Sequence, residues 1–392
     1  MATNTKYMHT NSSTFTFMIG VPCGSINEKK SQSGISHMLE HMLFKSSTSS
    51  KSIEVIRNMF DLGAKYNAYT SKDYTMFFIQ CSNKYAVKAY DMLIAIVTRF
   101  NISKAEFEKE KRVVFEELAL THNDLHNIFN ILHIGTAYSS SIIGNHDTLS
   151  NITYEEIKKY YDEHYQNPSY MIICDKVTYE KVNKYHHVRS NKTHCKPKYI
   201  DFNLNRELGT PKYCITHKPG QDNIEGGVLA FLTYPASDHR RWCCDLAAYI
   251  LHYSLFLELR EKRGLVYTVN VVNVIYLHTG YLRISFKTQQ ATCDKILSII
   301  KKEKRKMQLL SVNEYLEHWK NFQAYQHKNT HDNPEKFFEK HFCDFLYGVD
   351  REDIAVDIKE FKRVCKAIFK KTRLAFKFST KISMLKCLEN LF

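Results

Sequence analysis

The stretch GISHMLEHMLFKSS, residues 34–47, holds His37, Glu40 and His41 in the order H-x-x-E-H. An apolar helix is expected from about Gly34 to Phe44. On a helix, residues four apart lie on one face about one turn from each other, so His37 and His41 can direct two imidazoles at one ion. Glu40 stands beside them, offset toward a water on that ion rather than toward the ion. In a chain with 19 histidines and 41 acidic residues the same pattern also arises by chance, so its neighbours must decide what it is.

Upstream, TFTFMIGV has the period-two alternation of a strand in Phe15, Phe17, Ile19 and Val21, broken by Gly20, Pro22 and Gly24. Downstream, a second helix is expected near Ile53 to Leu62, with Gly63 as its C-cap. An extended stretch, NAYTSKDYTMFFIQCS, follows with a polar kink at Ser71 to Asp73. Helices over about Lys84 to Phe100 and Lys104 to Thr121 come next, and the strand SYMIICD ends the half. From about Lys176 the chain turns basic, polar and irregular. It begins there with a last helix and continues as linker. A second series then starts with the strand GGVLAFLTYP, the helix WCCDLAAYILHYSLFLELR, a hairpin turning at His278 to Gly280, and helices from about Thr292 and Ser311. The repeated order indicates two copies of one α+β unit, with a first domain over 1–190, a linker over 191–222 and a second domain over 223–392.

A length of 392 residues with 44% apolar content supports two sizeable cores. No segment has the ~18 uninterrupted apolar residues of a membrane span, and no signal or transit peptide is recognisable at the start. The eleven cysteines are odd in number, never spaced C-x-x-C, and mostly single within apolar runs, as at Cys81 and Cys174. They read as buried free thiols in a reducing, cytoplasmic space. The formal charge of +14 is spread along the chain, and its densest run, KKEKRKM at 301–307, reads as a solvated helix end. No nucleic-acid module accompanies the charge, so nucleic acid is not an expected partner.

Catalytic zinc takes three protein ligands and keeps one position open. The segment EFEKEKRVVFEELAL offers a third ligand: Glu110 and Glu117, seven apart, share a helix face, whereas Glu116 points elsewhere. Two histidines, one glutamate and a free glutamate make a hydrolytic set. Zinc lowers the pKa of its water toward ~7, and a glutamate takes the proton and passes it to the leaving amine.

GISHMLEHMLFKSS, LGAKYNAYTSKDYT and FEKEKRVVFEEL, in that order, resemble the successive blocks of the pitrilysin/insulinase family of zinc metallopeptidases, the inverzincins, and most of all its mitochondrial processing peptidase type. The resemblance implies one Zn2+ per chain held by His37, His41 and Glu117, which falls 76 residues after His41, with Glu110 orienting a ligand and Glu40 as base. It implies that Asn67, Ala68 and Tyr69 lie on a sheet edge where the substrate backbone adds as a strand. A further block, LELREKRGLVYTV, resembles the segment whose arginine and tyrosine reach the substrate from the zinc-free domain, here Arg260 and Tyr267. The implied fold is α+β: two homologous domains, each an antiparallel sheet packed by helices, forming a clam-like half-shell over a chamber.

The implied activity is that of a zinc metalloendopeptidase acting on short or unfolded peptides. The competing reading is a non-catalytic homologue serving as an assembly or structural subunit; this chain keeps every zinc residue that such homologues lose. A half-shell pairs with another, so a homodimer or pairing with a zinc-less relative is expected. The family's first strand has little room here: either TKYMHT supplies a shortened version or the sheet lacks an element. A composition rich in Lys and Tyr and poor in Pro and Gly fits an AT-rich genome, a viral one included, which extends the expected location to host cytoplasm or virion.

Overall fold

The alternation in TFTFMIGV produces a strand at the centre of a sheet. The computed structural model describes residues 5–44, 52–100, 102–120, 130, 132–133, 136–186, 212–215, 224–289, 293–309, 312–329, 345, 356–370 and 374–378. In β2 (Thr14–Val21) the residues Phe15, Phe17, Ile19 and Val21 are all fully buried in one core cluster with the helices. The first sheet also contains β1 (Thr5–His9), β3 (Lys65–Thr70), β4 (Thr75–Ser82) and β5 (Ser169–Cys174), in the order β1-β5-β2-β4-β3. Between β2 and β3 run α1 (Ile35–Leu43) and α2 (Ser52–Asp61). Between β4 and β5 run α3 (Ala86–Thr98), α4 (Lys104–Leu120), α5 (His146–Asn151) and α6 (Tyr154–His164), and α7 (Lys176–His186) follows β5.

A second sheet is made of β6 (Lys212–Ile215), β7 (Ile224–Thr233), β8 (Thr268–Ile275), β9 (Gly280–Gln289) and β10 (Leu374–Phe378), in the order β6-β10-β7-β9-β8. Its helices are α8 (Arg241–Leu255), α9 (Cys293–Leu309), α10 (Asn313–Asn329) and α11 (Ile358–Ile368). The two strand orders are the same path traced twice, which bears out the duplicated α+β unit, and the two sheets fall in separate compact units.

Three features differ from the sequence reading. Lys212–Ile215, inside the stretch read as linker, is strand β6, and the remainder of 191–222 lies outside the described residues. The sheets are antiparallel except at one edge, where β1 pairs with β5 and β6 with β10 in parallel. That parallel pair is a geometric consequence. In the first sheet β5 enters between β1 and β2, which run in opposite directions, so it must be parallel to one of them. The long connection that brings it there permits such pairing, as a hairpin would not. Third, the basic run 301–307 is only partly solvated. On α9, Glu303 and Lys304 are buried, with Lys304 Nζ 5.1 Å from the Phe231 ring centre and Glu303 accepting from Ser254 and Lys306.

TKYMHT does supply the short first strand. Thr5 to His9 pair with Tyr170 to Cys174, and the Tyr7 ring stacks on Tyr179 at 3.8 Å. Among the described residues no helix is long and apolar enough to cross a membrane.

The start of α1 is held from several sides. Gly34, its N-cap, has φ +97°, and a Cβ there would lie 2.6 Å from the carbonyl oxygen of Ile143. Having no side chain to cap with, Gly34 relies on Glu28, whose carboxylate accepts the N–H groups of Gly34 at 2.8 Å and Ser36 at 3.0 Å. Ser36 Oγ meets Tyr160 OH at 2.8 Å, and Thr148 Oγ1 donates to the Ser33 carbonyl at 2.8 Å. At the end of α2, Gly63 is the expected cap: its φ is +56°, and the N–H groups of Gly63 and Ala64 return to Phe60 and Met59 at 2.8 and 3.1 Å.

These two glycines give a paired test. Gly34→Ala incurs both left-handed strain and a backbone collision, whereas Gly63→Ala, with nothing within 4 Å, incurs the strain alone. Denaturant unfolding is expected to place Gly34→Ala at or above the top of the roughly 1–3 kcal/mol range for such strain and Gly63→Ala near its bottom. Equal losses would remove the clamp on α1 from this account.

Candidate metal centre

Helix α1 forms because ISHMLEHML turns Ile35, Met38, Leu39, Met42 and Leu43 into the core, each fully buried. The same register leaves His37 and His41 together at its edge, with ring centres 4.6 Å apart. Helix α4 buries Phe107, Glu110 and Val114 and presents Glu117 to the two imidazoles. One carboxylate oxygen of Glu117 lies 3.2 Å from His41 Nε2 and the other 3.7 Å from His37 Nε2. Ligand atoms of these three residues all fall within 4.8 Å of one another, the single such group among the described residues. Glu116, one residue earlier, is exposed, whereas Glu110 and Glu117, seven apart, both meet His41.

The donor set fits zinc. Bonds of ~2.0–2.2 Å to nitrogen and oxygen place tetrahedral ligand atoms roughly 3.3–3.6 Å apart, and the 3.2 and 3.7 Å contacts of Glu117 with His41 and His37 lie close to that spacing. Glu110, buried, meets His41 Nδ1 at 3.3 Å through Oε1 and so turns Nε2 toward Glu117. His37 Nδ1 is buried without a hydrogen-bond partner among the described residues. Burial, and then the neighbouring His41, pushes the His37 imidazole down to about 3, so it stays neutral with a lone pair to give. For His41, burial pulls downward, but the Glu110 hydrogen bond and the charges of Glu40, Glu117 and Glu110 outweigh it, and its pKa is raised.

Glu40 is buried beside this group, and burial pushes its carboxyl up to about 7, the range in which a carboxylate both accepts and returns a proton near neutrality. Its Oε2 accepts the Thr70 hydroxyl at 3.0 Å. Asn67, Ala68 and Tyr69 lie on β3, which ends the first sheet and pairs with β4 alone among the described strands.

Arg260 and Tyr267 belong to the second unit, and both are exposed. Arg260 sits on a π-helical turn, Phe256–Glu261, that continues α8, with its guanidinium 5.3 Å from the Phe256 ring centre. Tyr267 is 77% exposed, and its backbone N–H donates to the Lys287 carbonyl at 2.9 Å. In that unit the counterpart of α1 carries Cys243, Cys244 and His252.

The sequence reading missed two residues, Glu28 and Thr70. Glu28 lies six residues before Gly34, the N-cap of the helix it holds, beyond any local capping pattern. Thr70 gave no signal of its own beyond closing the NAYT stretch.

Comparison with known proteins agrees with this geometry. Residues 5–145 match the model of the insulinase peptidase family M16, and residues 151–318 match that of the M16 inactive domain. An uncharacterized zinc protease of Streptomyces coelicolor is 26% identical over 272 residues, 65% of this chain and 58% of that protein. The human mitochondrial-processing peptidase subunit beta is 28% identical over 161 residues, 40% of this chain and 33% of that one. The chain thus spans about a third to three-fifths of these relatives' length. Among solved structures, a Helicobacter pylori protease superposes with a TM-score of 0.80 at 20% identity, covering 95% of this chain and 96% of that one. A chain of Complex III2 from Candida albicans gives 0.77 at 12% identity, covering 99% and 97%. With its α+β units, its strand order repeated and its His-His-Glu group in the first of them, the chain belongs to the insulinase family of zinc peptidases, family M16.

Proposed function

We propose that this protein is a zinc-dependent endopeptidase that hydrolyses short or unfolded peptides in an enclosed chamber. The observation that supports it most is the meeting of His37, His41 and Glu117 within 4.8 Å, with the buried Glu40 carboxyl next to them. When bound, zinc supplies a Lewis acid toward water and the peptide carbonyl. His37, His41 and Glu117 hold it, and Glu110 keeps the His41 ring turned toward it.

The chain's own groups carry the rest. Backbone groups of Asn67, Ala68 and Tyr69 pair with the substrate as an added strand and hold it extended. Glu40 takes a proton from the attacking water as its oxygen bonds to the carbonyl carbon. As the carbon–nitrogen bond breaks, Glu40 returns that proton to the amine nitrogen. Arg260 and Tyr267 donate to the carbonyl oxygen as negative charge develops on it.

The competing role, an assembly subunit without catalysis, draws on the likeness to the Complex III2 chain. At 12% identity that likeness concerns the fold alone. Such a role has no use for a buried carboxyl beside three convergent ligands. We further propose that the protein pairs with a second copy or a zinc-less relative, and that it works in a reducing cytoplasm. The free, buried thiols of Cys23, Cys81, Cys174, Cys243, Cys244 and Cys365 support that location.

Three sets of variants test the reading. His37→Ala, His41→Ala and Glu117→Ala are expected to lose zinc in elemental analysis while Glu116→Ala keeps it; the reverse at 116 and 117 overturns the ligand set. Glu40→Gln should retain zinc and lose about 10²- to 10⁴-fold in kcat, since the amide keeps the shape without accepting a proton. A loss smaller than that assigns the base elsewhere. Tyr267→Phe should lower kcat by about 10²- to 10³-fold at nearly unchanged KM and zinc content, and a change confined to KM would make Tyr267 a substrate-binding group only.

A further inference from the structure

Glu40 is given no ligand bond that would fix it in place, so something else must aim it. A glutamate has three side-chain torsions, and a general base displaced by about 1 Å loses much of its effect. Among the described residues, Thr70 holds it by hydrogen bonds. Thr70 Oγ1 donates to Glu40 Oε2 at 3.0 Å, and a backbone hydrogen bond joins the same pair. Both residues are buried.

Thr70 is itself tightly held. It is the last residue of β3 and pairs with Thr75 across the hairpin. The turn that follows is closed by Ser71 N–H on Tyr74 O at 2.7 Å. Gly24 packs against that turn so closely that a Cβ would lie 2.5 Å from the carbonyl oxygens of both Ser71 and Lys72. Ser25 and Ile26 N–H groups bond those same oxygens at 3.2 and 3.0 Å, and Tyr138 OH bonds Asp73. A β-branched side chain is restricted at χ1, which limits the freedom of the hydroxyl.

We infer that Thr70 is a positioning residue: it aims the Glu40 carboxylate from the end of the edge strand that takes the peptide. The inference rests on the hydrolytic reading above. Base and substrate are then referred to the same strand, since Asn67 to Tyr69 hold the peptide and Thr70, next in line, holds the group that moves its proton. A substrate strand in register on β3 is thereby in register with Glu40.

Thr70→Val removes the hydroxyl and keeps the shape and the backbone N–H, whereas Thr70→Ser keeps the hydroxyl. In the zinc-loaded protein, Thr70→Val is expected to lower kcat by about 10- to 100-fold with KM within about twofold and zinc content unchanged. Thr70→Ser should stay within about threefold of the parent in kcat, a rescue that a merely structural role would not need. Crystals of the metal-free variants supply a readout independent of activity: Glu40 should leave its place beside His41 in Thr70→Val and keep it in Thr70→Ser. Unchanged kcat in Thr70→Val, equal damage in both variants, or a Glu40 that does not move would each overturn the inference. If the parent protein cleaves no peptide, the hydrolytic reading fails, while the crystals still decide whether Thr70 holds Glu40.

Discussion

The position of His41 between two glutamates of α4 is the constraint on which the centre depends. Glu110 meets one ring nitrogen at 3.3 Å and Glu117 the other at 3.2 Å, and the Glu40 carboxyl is buried alongside. Three carboxyl groups gathered around two imidazoles in a partly dry site carry a desolvation cost and mutual repulsion that hydrogen bonds alone do not offset. A divalent cation at the convergence of His37, His41 and Glu117 relieves both. Burial pushes the Glu40 carboxyl up to about 7, while for His41 the Glu110 hydrogen bond and the charges of Glu40, Glu117 and Glu110 raise the pKa against its burial.

Holding this arrangement requires that α1 not slide or rotate, and the fold commits several elements to that end. Glu28 ties down the first N–H groups of the helix, Gly34 and Gly144 let two backbone segments approach each other, and the apolar face of α1 is fully buried. The second unit repeats the strand order without this apparatus among its described residues. Its counterpart helix needs only to pack, and Cys243, Cys244, Leu246 and Ala247 do so. One duplicated architecture thus carries a metal group in one half and exposes Arg260 and Tyr267 in the other.

Much of this was legible in the sequence because it is encoded at short range. The H-x-x-E-H spacing, the seven-residue interval between Glu110 and Glu117, the period-two pattern of β2 and the glycine after α2 each depend on neighbours within two helical turns. What was not legible depends on distant partners. That Thr5 pairs with Tyr170, that Lys212–Ile215 joins a sheet edge beside β10, and that Thr70 reaches Glu40 are outcomes of tertiary placement with no local periodicity to announce them. The burial of Lys304 in a basic run was hidden likewise, since its ammonium rests over Phe231 and Phe369 from other strands and loops.

The central claim is that a single zinc, held by His37, His41 and Glu117, makes this chain a peptidase. Titrating zinc into metal-free protein while following hydrolysis of an unstructured peptide pool tests it most directly. The account predicts activity that rises with added zinc and levels off at one equivalent per chain. Activity independent of zinc, or none at one bound equivalent, would contradict it.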